Sequence, residues 1–126
     1  MQRSSHLLSL SIESAAISRA TKLILDRYAE PLSLEDLVLA SGLRRFRFLR
    51  LFKRETGLPP HEFLIQHRIE KAKESLANQA SVLETAMDTG FFDQSHFGRH
   101  FKRITGKSPA AYRRSMRSRF SKKKDE

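Results

Sequence analysis

The chain has 126 residues, a net charge of +10 at neutral pH and no cysteine. This length accommodates one or two small domains, and the absence of cysteine excludes disulfides, thiol catalysis and cysteine-bound zinc. The sequence contains neither an apolar run long enough to span a membrane nor a signal-peptide pattern. We therefore predict a cytoplasmic protein with no membrane partner.

The positive charge is concentrated in the last two thirds of the chain. Residues 1–43 carry four lysines and arginines against five acidic residues, whereas residues 44–124 carry twenty against seven. From Gln94 to Lys124 there is no acidic residue. Such a cationic surface is typical of a polyanion-binding protein, and double-stranded DNA is the first candidate partner. The alternative is a surface charge that only keeps the protein soluble.

The N-terminal third predicts one amphipathic helix and one short capped helix. Residues 1–14 are serine-rich and have no clear hydrophobic period, so we predict an arm or linker there. Apolar residues recur at helical spacing from Ala15 to Ala29, which predicts a helix. Ser33 and Asp36 have the spacing of a capping box, which predicts a short helix that ends before a turn at Gly42.

The next stretch predicts a cationic helix and then a long connecting helix. From Arg44 to Thr56, phenylalanine and leucine at helical spacing indicate a buried face, and the opposite face carries arginine and lysine. Gly57 is placed to end this helix, because glycine adopts a left-handed conformation at little steric cost. From Pro60 to about Ala77 the spacing predicts a helix roughly 27 Å long, with Arg68 on its outer side.

A second copy of the same unit follows. The segment FKRETG at 52–57 returns as FKRITG at 101–106. Ser81 and Glu84 repeat the capping box, and Asp93 is placed to cap the second cationic helix. An internal period of this length indicates a duplicated helix-turn-helix unit.

We therefore predict an all-α chain of about seven helices, in which a long central helix joins two helix-turn-helix subdomains. Thr85 occupies the place of Leu37 in the first copy, so we expect its helix to pack less firmly. The predicted boundaries are an arm at 1–14, a first subdomain at 15–58, a linker helix at 59–78, a second subdomain at 79–117 and a disordered basic tail at 118–126.

A distinctive pattern spans the second copy: Gly90-Phe91-x-Asp93-x-Ser95-His96-Phe97-x-Arg99-x-Phe101-Lys102-x-x-x-Gly106-x-Ser108-Pro109-x-x-Tyr112-Arg113. It resembles the DNA-binding domain of the AraC/XylS family of bacterial transcription regulators. The resemblance covers about residues 15–114 and is to the short stand-alone members, so we expect no sensor domain. Three positions depart from the family pattern: Arg44 replaces a capping serine, Thr85 replaces isoleucine, and Phe92 replaces a small or charged residue.

The resemblance implies a sequence-specific transcription regulator that is not an enzyme and uses no cofactor. It implies that two recognition helices enter adjacent major grooves of DNA. Two unlike helices on one chain remove the need for a palindrome, so we expect a monomer on an asymmetric site of roughly 20 base pairs. We expect the regulator to be an activator, with RNA polymerase as a candidate second partner. The alternatives are a module that docks on polymerase or another regulator with mainly non-specific DNA affinity, and an architectural DNA-binding protein.

By position in the motif, the resemblance assigns base contacts to Arg45, Phe46, Leu49, Arg50, Gln94, Ser95 and Arg99. The neighbouring polar residues are expected to contact phosphate or to position the helices, and they are Arg47, Lys53, Arg54, His96, Lys102, Arg103 and Lys107.

The arginines are the strongest candidates for base contacts. A guanidinium can contact O6 and N7 of guanine together, so Arg50 and Arg99 are expected to specify sequence, and the alternative is that they only hold phosphate. Phe46 and Leu49 either contact thymine methyl groups or fold back against the N-terminal arm.

Two apparent sites are set aside. His96 and His100 lie four apart, as a zinc pair would, but we predict no metal site. Asp93, Ser95 and His96 are the residue types of a catalytic triad, but they crowd into one helical turn, which prevents the histidine from lying between the other two. We therefore predict no catalytic residues.

Overall fold

The computed structural model of the chain describes residues 2–117, with side chains from residue 8 onward. In that range the chain is helical without strands, which confirms the predicted all-α class. The predicted basic tail at 118–126 lies outside the described residues. Across residues 2–117, none of the helices combines the length and the apolar character that a bilayer crossing demands. Residues 2–117 form seven helices, which are α1 (Gln2–Arg27), α2 (Leu34–Ser41), α3 (Arg45–Thr56), α4 (Pro60–Ala77), α5 (Val82–Asp88), α6 (Gln94–Thr105) and α7 (Pro109–Ser115).

The helices form two compact units, and the division falls within α4, after Leu64. Each unit buries a hydrophobic core of its own. The core of the first unit consists of Ile17, Ala20, Ile24, Leu37, Phe48, Leu51, Phe52 and Leu64. The core of the second unit consists of Ile65, Ile69, Ala72, Leu76, Ala86, Phe91, Phe97 and Phe101.

The two cores contain the same aromatic arrangement, at the positions that the sequence repeat relates. In each unit two phenylalanines one helical turn apart are fully buried, and the second of them meets a further ring edge-on. Such tilted and edge-to-face pairs are favourable because the positive edge of one ring meets the negative face of another. The ring pairs, by centroid distance, are Phe48–Phe52 at 5.5 Å, Phe97–Phe101 at 5.7 Å, Phe52–Phe63 at 5.4 Å and Phe101–Tyr112 at 5.4 Å.

The cationic helices α3 and α6 end in the same way. Gly57 and Gly106 both have φ of +83°, in the left-handed region that favours glycine. Each glycine follows a threonine. The Thr56 hydroxyl donates to the Phe52 carbonyl oxygen and the Thr105 hydroxyl donates to the Phe101 carbonyl oxygen, both at 2.8 Å. The Thr-Gly pair is therefore a helix stop in both copies, as the sequence predicted.

The first helix begins at Gln2, whereas hydrophobic spacing predicted a start at Ala15. The early part of α1 gives no hydrophobic period because it buries little: Leu8 is 63% exposed and Ile12 is 62% exposed. Residues 2–14 are thus helical, and a role for them as a separate arm stays a prediction.

Two arginines hold backbone carbonyls inside the units, a role that the sequence analysis did not predict. Arg19 of α1 donates to two carbonyl oxygens at the C-terminal end of α2, at 3.1 and 2.8 Å. Arg113 of α7 donates to the carbonyl oxygens of Gln79 and Ala80, at 3.0 and 2.9 Å, in the turn before α5. These cations therefore stabilise the fold by satisfying acceptors that the helices leave without partners.

The prediction that Arg68 lies on the outer side of α4 is wrong. The side chain is buried, and its guanidinium carbon lies 5.8 Å from the centroid of the Phe91 ring. Burial lowers the pKa of Arg68 from its ordinary value. Helical spacing alone cannot predict this position, because the aromatic face that receives the cation comes from a residue more than twenty positions away.

Thr85 is fully buried in the second unit, in the place that Leu37 occupies in the first. Its hydroxyl oxygen has no hydrogen-bond partner within the described residues. The neighbouring Thr89 is also buried, but its hydroxyl donates to the Thr85 carbonyl oxygen at 2.7 Å. A buried hydroxyl without a partner loses its hydration and gains nothing in return, so Thr85 should lower the stability of this unit.

We predict opposite effects of valine at these two threonines. Thr85→Val removes an unsatisfied hydroxyl and should raise the free energy of unfolding by about 1 kcal/mol, whereas Thr89→Val removes a hydrogen bond and should lower it by about 1 kcal/mol. Urea denaturation followed by circular dichroism measures both changes. A loss of stability in Thr85→Val would contradict the assignment.

Candidate nucleic-acid interface

The starts of α3 and α6 are built differently. Asp93 caps α6, and its carboxylate accepts from the backbone N–H groups of Ser95 and His96 at 2.9 and 3.3 Å. Arg44 stands at the same position before α3, and it provides no side-chain hydrogen bond to the helix. The first turn of α6 is therefore held by a carboxylate, while that of α3 depends on packing.

The outer face of α3 carries most of the predicted contact residues of the first unit. Arg45, Phe46 and Arg50 are exposed, and so are the predicted phosphate contacts Lys53 and Arg54. Phe46 is 86% exposed, so its side chain does not fold back against the residues that the structure describes. Large apolar side chains that remain in water on a cationic face are available to a partner.

Leu49 differs from its neighbours on this face. It is only partly exposed and packs against the core of the first unit. It also lines a small apolar cavity of about 190 Å³ together with Leu34, Leu37 and Leu64. The structure therefore gives Leu49 a packing role within this unit, and the apolar surface that α3 exposes comes mainly from Phe46.

Carboxylates from α1 and α2 pair with three of the arginines of α3. Arg45 donates to Glu35 of α2 at 2.6 Å. Arg47 and Arg54 both donate to Glu13 of α1. Glu13 was missed by the sequence analysis because residues 1–14 show no helical period, and so nothing in the spacing placed it beside α3.

Two cations of α3 have no such partner. Neither the Arg50 nor the Lys53 side chain makes a hydrogen bond or an ion pair with residues 8–117, the part of the chain whose side chains the structure describes. Both lie on the exposed side of the helix, opposite Phe48 and Phe52. Their charges are therefore free to act on an outside anion.

The outer face of α6 is cationic and polar. Gln94, Ser95, Arg99, Lys102 and Arg103 are all exposed. The side chains of Arg99 and Lys102 form no ion pair with a carboxylate in the part of the chain whose side chains the structure describes. These two cations of α6 therefore resemble Arg50 and Lys53 of α3, whereas the other three arginines of α3 pair with Glu13 and Glu35.

Two histidines extend the cationic surface of α6. The Nε2 atoms of His96 and His100 lie 3.2 Å apart, and an Arg103 Nη2 atom lies 3.0 Å from His100 Nδ1. With Arg99, these three residues line an open concavity of about 270 Å³. A site lined only by guanidinium and imidazole groups suits an anionic oxygen such as that of phosphate.

The geometry also bears on the two sites that the sequence analysis set aside. Residues 2–117 contain no cluster of three histidine, cysteine, aspartate or glutamate side chains that could hold a metal ion. Asp93 directs its carboxylate at the backbone N–H groups of α6. This use as a helix cap leaves no relay from Asp93 through His96 to Ser95.

Comparison with known proteins identifies the family. A family described as a helix-turn-helix domain matches residues 37–115. The DNA-binding domain of AdpA, solved in complex with a target DNA, superimposes with a TM-score of 0.78 and 33% identity, covering 82% of this chain and 94% of that one. The HTH-type transcriptional activator AarP of Providencia stuartii is 33% identical over 104 residues, which are 82% of this chain and 77% of AarP. The chain belongs to the AraC family of DNA-binding transcription regulators.

Other relatives in the AraC family are longer than this chain. The HTH-type transcriptional regulator MtrA of Neisseria gonorrhoeae is 35% identical over 92 residues, which are 72% of this chain and 31% of MtrA. The chain also spans 41% of LumQ of Photobacterium leiognathi. The similarity thus lies in the DNA-binding region, and this family and the named relatives are transcription regulators rather than enzymes.

We predict that the unequal starts of α3 and α6 have measurable effects on stability. Asp93→Ala removes a side-chain cap and should lower the free energy of unfolding by about 1 kcal/mol. Arg44→Ser supplies a cap that α3 lacks and should raise it by up to about 1 kcal/mol. Thermal and urea denaturation measure both, and an unchanged stability of Asp93→Ala would show that the cap contributes nothing.

Proposed function

We propose that the chain binds an asymmetric DNA site of roughly 20 base pairs as a monomer, with α3 and α6 in adjacent major grooves. The observation that carries the proposal is the placement of Arg50 and Arg99. They occupy equivalent positions of the repeat, both are exposed, and neither side chain makes a hydrogen bond or an ion pair with another described residue. Two unlike helices on one chain can recognise a site without two-fold symmetry.

Base contacts are proposed for the side chains at the centre of each exposed face. Arg50 and Arg99 can each donate two hydrogen bonds to O6 and N7 of guanine. Gln94 can contact adenine through its amide, and Ser95 can contact a base or the backbone. Phe46 provides apolar area for a thymine methyl group. The first unit thus combines one arginine with an apolar contact, whereas the second uses polar groups.

Phosphate contacts are proposed for the cations and the histidine that surround these positions. All seven residues predicted from the sequence for this role are exposed in the structure, and they are Arg47, Lys53, Arg54, His96, Lys102, Arg103 and Lys107. Such contacts fix the position of the protein on the duplex and carry no sequence information themselves.

Activation of transcription is the proposed outcome of binding. AarP, which aligns with most of this chain, is named a transcriptional activator, and MtrA is named a transcriptional regulator. An activator must contact the transcription machinery as well as DNA, so RNA polymerase is the proposed second partner. The proposed location is the cytoplasm, on the nucleoid.

Replacing Arg99 and Lys102 separately should distinguish a base contact from a phosphate contact. Arg99→Ala should remove the preference at one base pair, at a cost of about 1–3 kcal/mol on the preferred sequence. Lys102→Ala should weaken binding to all sequences alike. It should also make the logarithmic salt slope shallower by about 0.9, the increment for one phosphate contact. Binding is measured by fluorescence anisotropy against sites selected from random DNA, with random duplex as competitor. Equal losses on every sequence for both variants would contradict the assignment.

The activator proposal predicts a rise in transcript from a promoter that carries the selected site. In-vitro transcription with purified RNA polymerase and the protein measures this rise, and Arg99→Ala serves as the binding-deficient control. A drop in transcript would indicate repression instead.

The monomer proposal predicts one chain per DNA site. Analytical ultracentrifugation of the complex measures this stoichiometry, and two chains on a palindromic site would contradict the proposal.

A further inference from the structure

Three charged side chains meet at one edge of α3 in the first unit. Arg47 and Arg54 are seven residues apart, which is about two helical turns, so they lie on the same side of the helix. Both donate to the carboxylate of Glu13 on α1, and the contact from Arg54 Nη2 measures 3.4 Å. The Glu13 side chain is 13% exposed, whereas those of Arg47 and Arg54 are 47% and 57% exposed.

The carboxylate of Glu13 is well placed to remain ionised. Its pKa is held below the ordinary value, chiefly by the hydrogen bond from Arg47. Burial opposes this effect, and the charge of Arg47 together with the hydrogen bond and charge of Arg54 lowers the pKa further. A carboxyl group with a lowered pKa is ionised throughout the neutral range. Arg47, Arg54 and Glu13 together therefore carry a single net positive charge, because the carboxylate offsets one of the two guanidinium groups.

We propose that Glu13 lowers the affinity of the first helix-turn-helix unit for DNA by competing with phosphate for Arg47 and Arg54. Carboxylate and phosphate both bind the same N–H groups of a guanidinium, so one displaces or weakens the other. A phosphate that approaches this edge of α3 meets two cations already engaged by an internal anion. The inference rests on the proposed phosphate contacts of Arg47 and Arg54.

Internal carboxylates engage both edges of α3. Glu13 engages Arg47 and Arg54 at one edge and Glu35 engages Arg45 at the other, so that Arg50 and Lys53 remain for an outside partner. Phosphate attraction is independent of sequence, so Glu13 weakens binding to random DNA and to a specific site alike.

The substitution Glu13→Gln tests this inference, because glutamine keeps an oxygen that can accept from the arginines and removes the charge. The 126-residue chain is titrated with a fluorescent random-sequence duplex of about 30 base pairs. The Glu13→Gln variant should bind this duplex about threefold more tightly than the original protein does at about 0.1 M salt. Its logarithmic salt slope should steepen by about 0.9, the increment for one additional phosphate contact.

A matched control separates this local effect from a change in net charge. Glu30→Gln changes the charge by the same amount, and Glu30 pairs with Arg27 at the end of α1 instead of with α3. It should leave the affinity and the salt slope near those of the original protein. Circular dichroism and urea denaturation of all variants check that folding is preserved.

The double variant Arg47→Ala with Arg54→Ala distinguishes failure of the inference from failure of the phosphate assignment. It should weaken binding to random DNA, and adding Glu13→Gln to it should no longer increase affinity. If the double variant binds as tightly as the original protein, the phosphate assignment is wrong. The other case is that the double variant binds more weakly than the original protein, as expected. If the single variant Glu13→Gln then changes the affinity no more than the control Glu30→Gln does, or lowers it, Glu13 does not compete with phosphate and the inference is overturned.

Discussion

Each cationic helix of this protein is fixed by two phenylalanines, one turn apart, that are wholly removed from solvent. Phe48 and Phe52 anchor α3, and Phe97 and Phe101 anchor α6. Burying one such side chain contributes roughly 1.5–3 kcal/mol, so each helix has a strongly preferred rotation about its axis. The arginines at positions 50 and 99 lie opposite those rings and must face outward. The packing of the rings thus determines which residues can meet DNA.

The two copies of the unit share this architecture but differ in how they present charge. The first exposes a phenylalanine and two cations without internal partners, while its remaining arginines pair with carboxylates of α1 and α2. The second exposes arginine, lysine, glutamine and serine, with its first turn held by Asp93. Both helices stop at the same Thr-Gly pair. The copies therefore differ on the exposed faces of α3 and α6 and at the starts of these helices, whereas the buried phenylalanine pairs and the Thr-Gly stops are retained.

Local signals in the sequence were sufficient for most helix ends and core positions. Capping residues, the Thr-Gly pairs and apolar spacing act within a few residues, and they correctly predicted α4 from Pro60 to Ala77 and the buried faces of α3 and α6. The errors involve side chains whose partners are distant in sequence. Arg68 is buried against Phe91, and Glu13 reaches arginines more than thirty positions away. The start of α1 was missed because its exposed leucines and isoleucine carry no burial pattern.

We propose that α3 and α6 each contact bases in a major groove of one asymmetric site. Protection of guanine N7 from methylation on a selected site measures these contacts directly, because that atom lies in the major groove. We expect two protected clusters on one face of the duplex, about one helical turn apart. Arg50→Ala should remove protection in one cluster and Arg99→Ala in the other. A single cluster, or two clusters that both variants weaken equally, would contradict the claim.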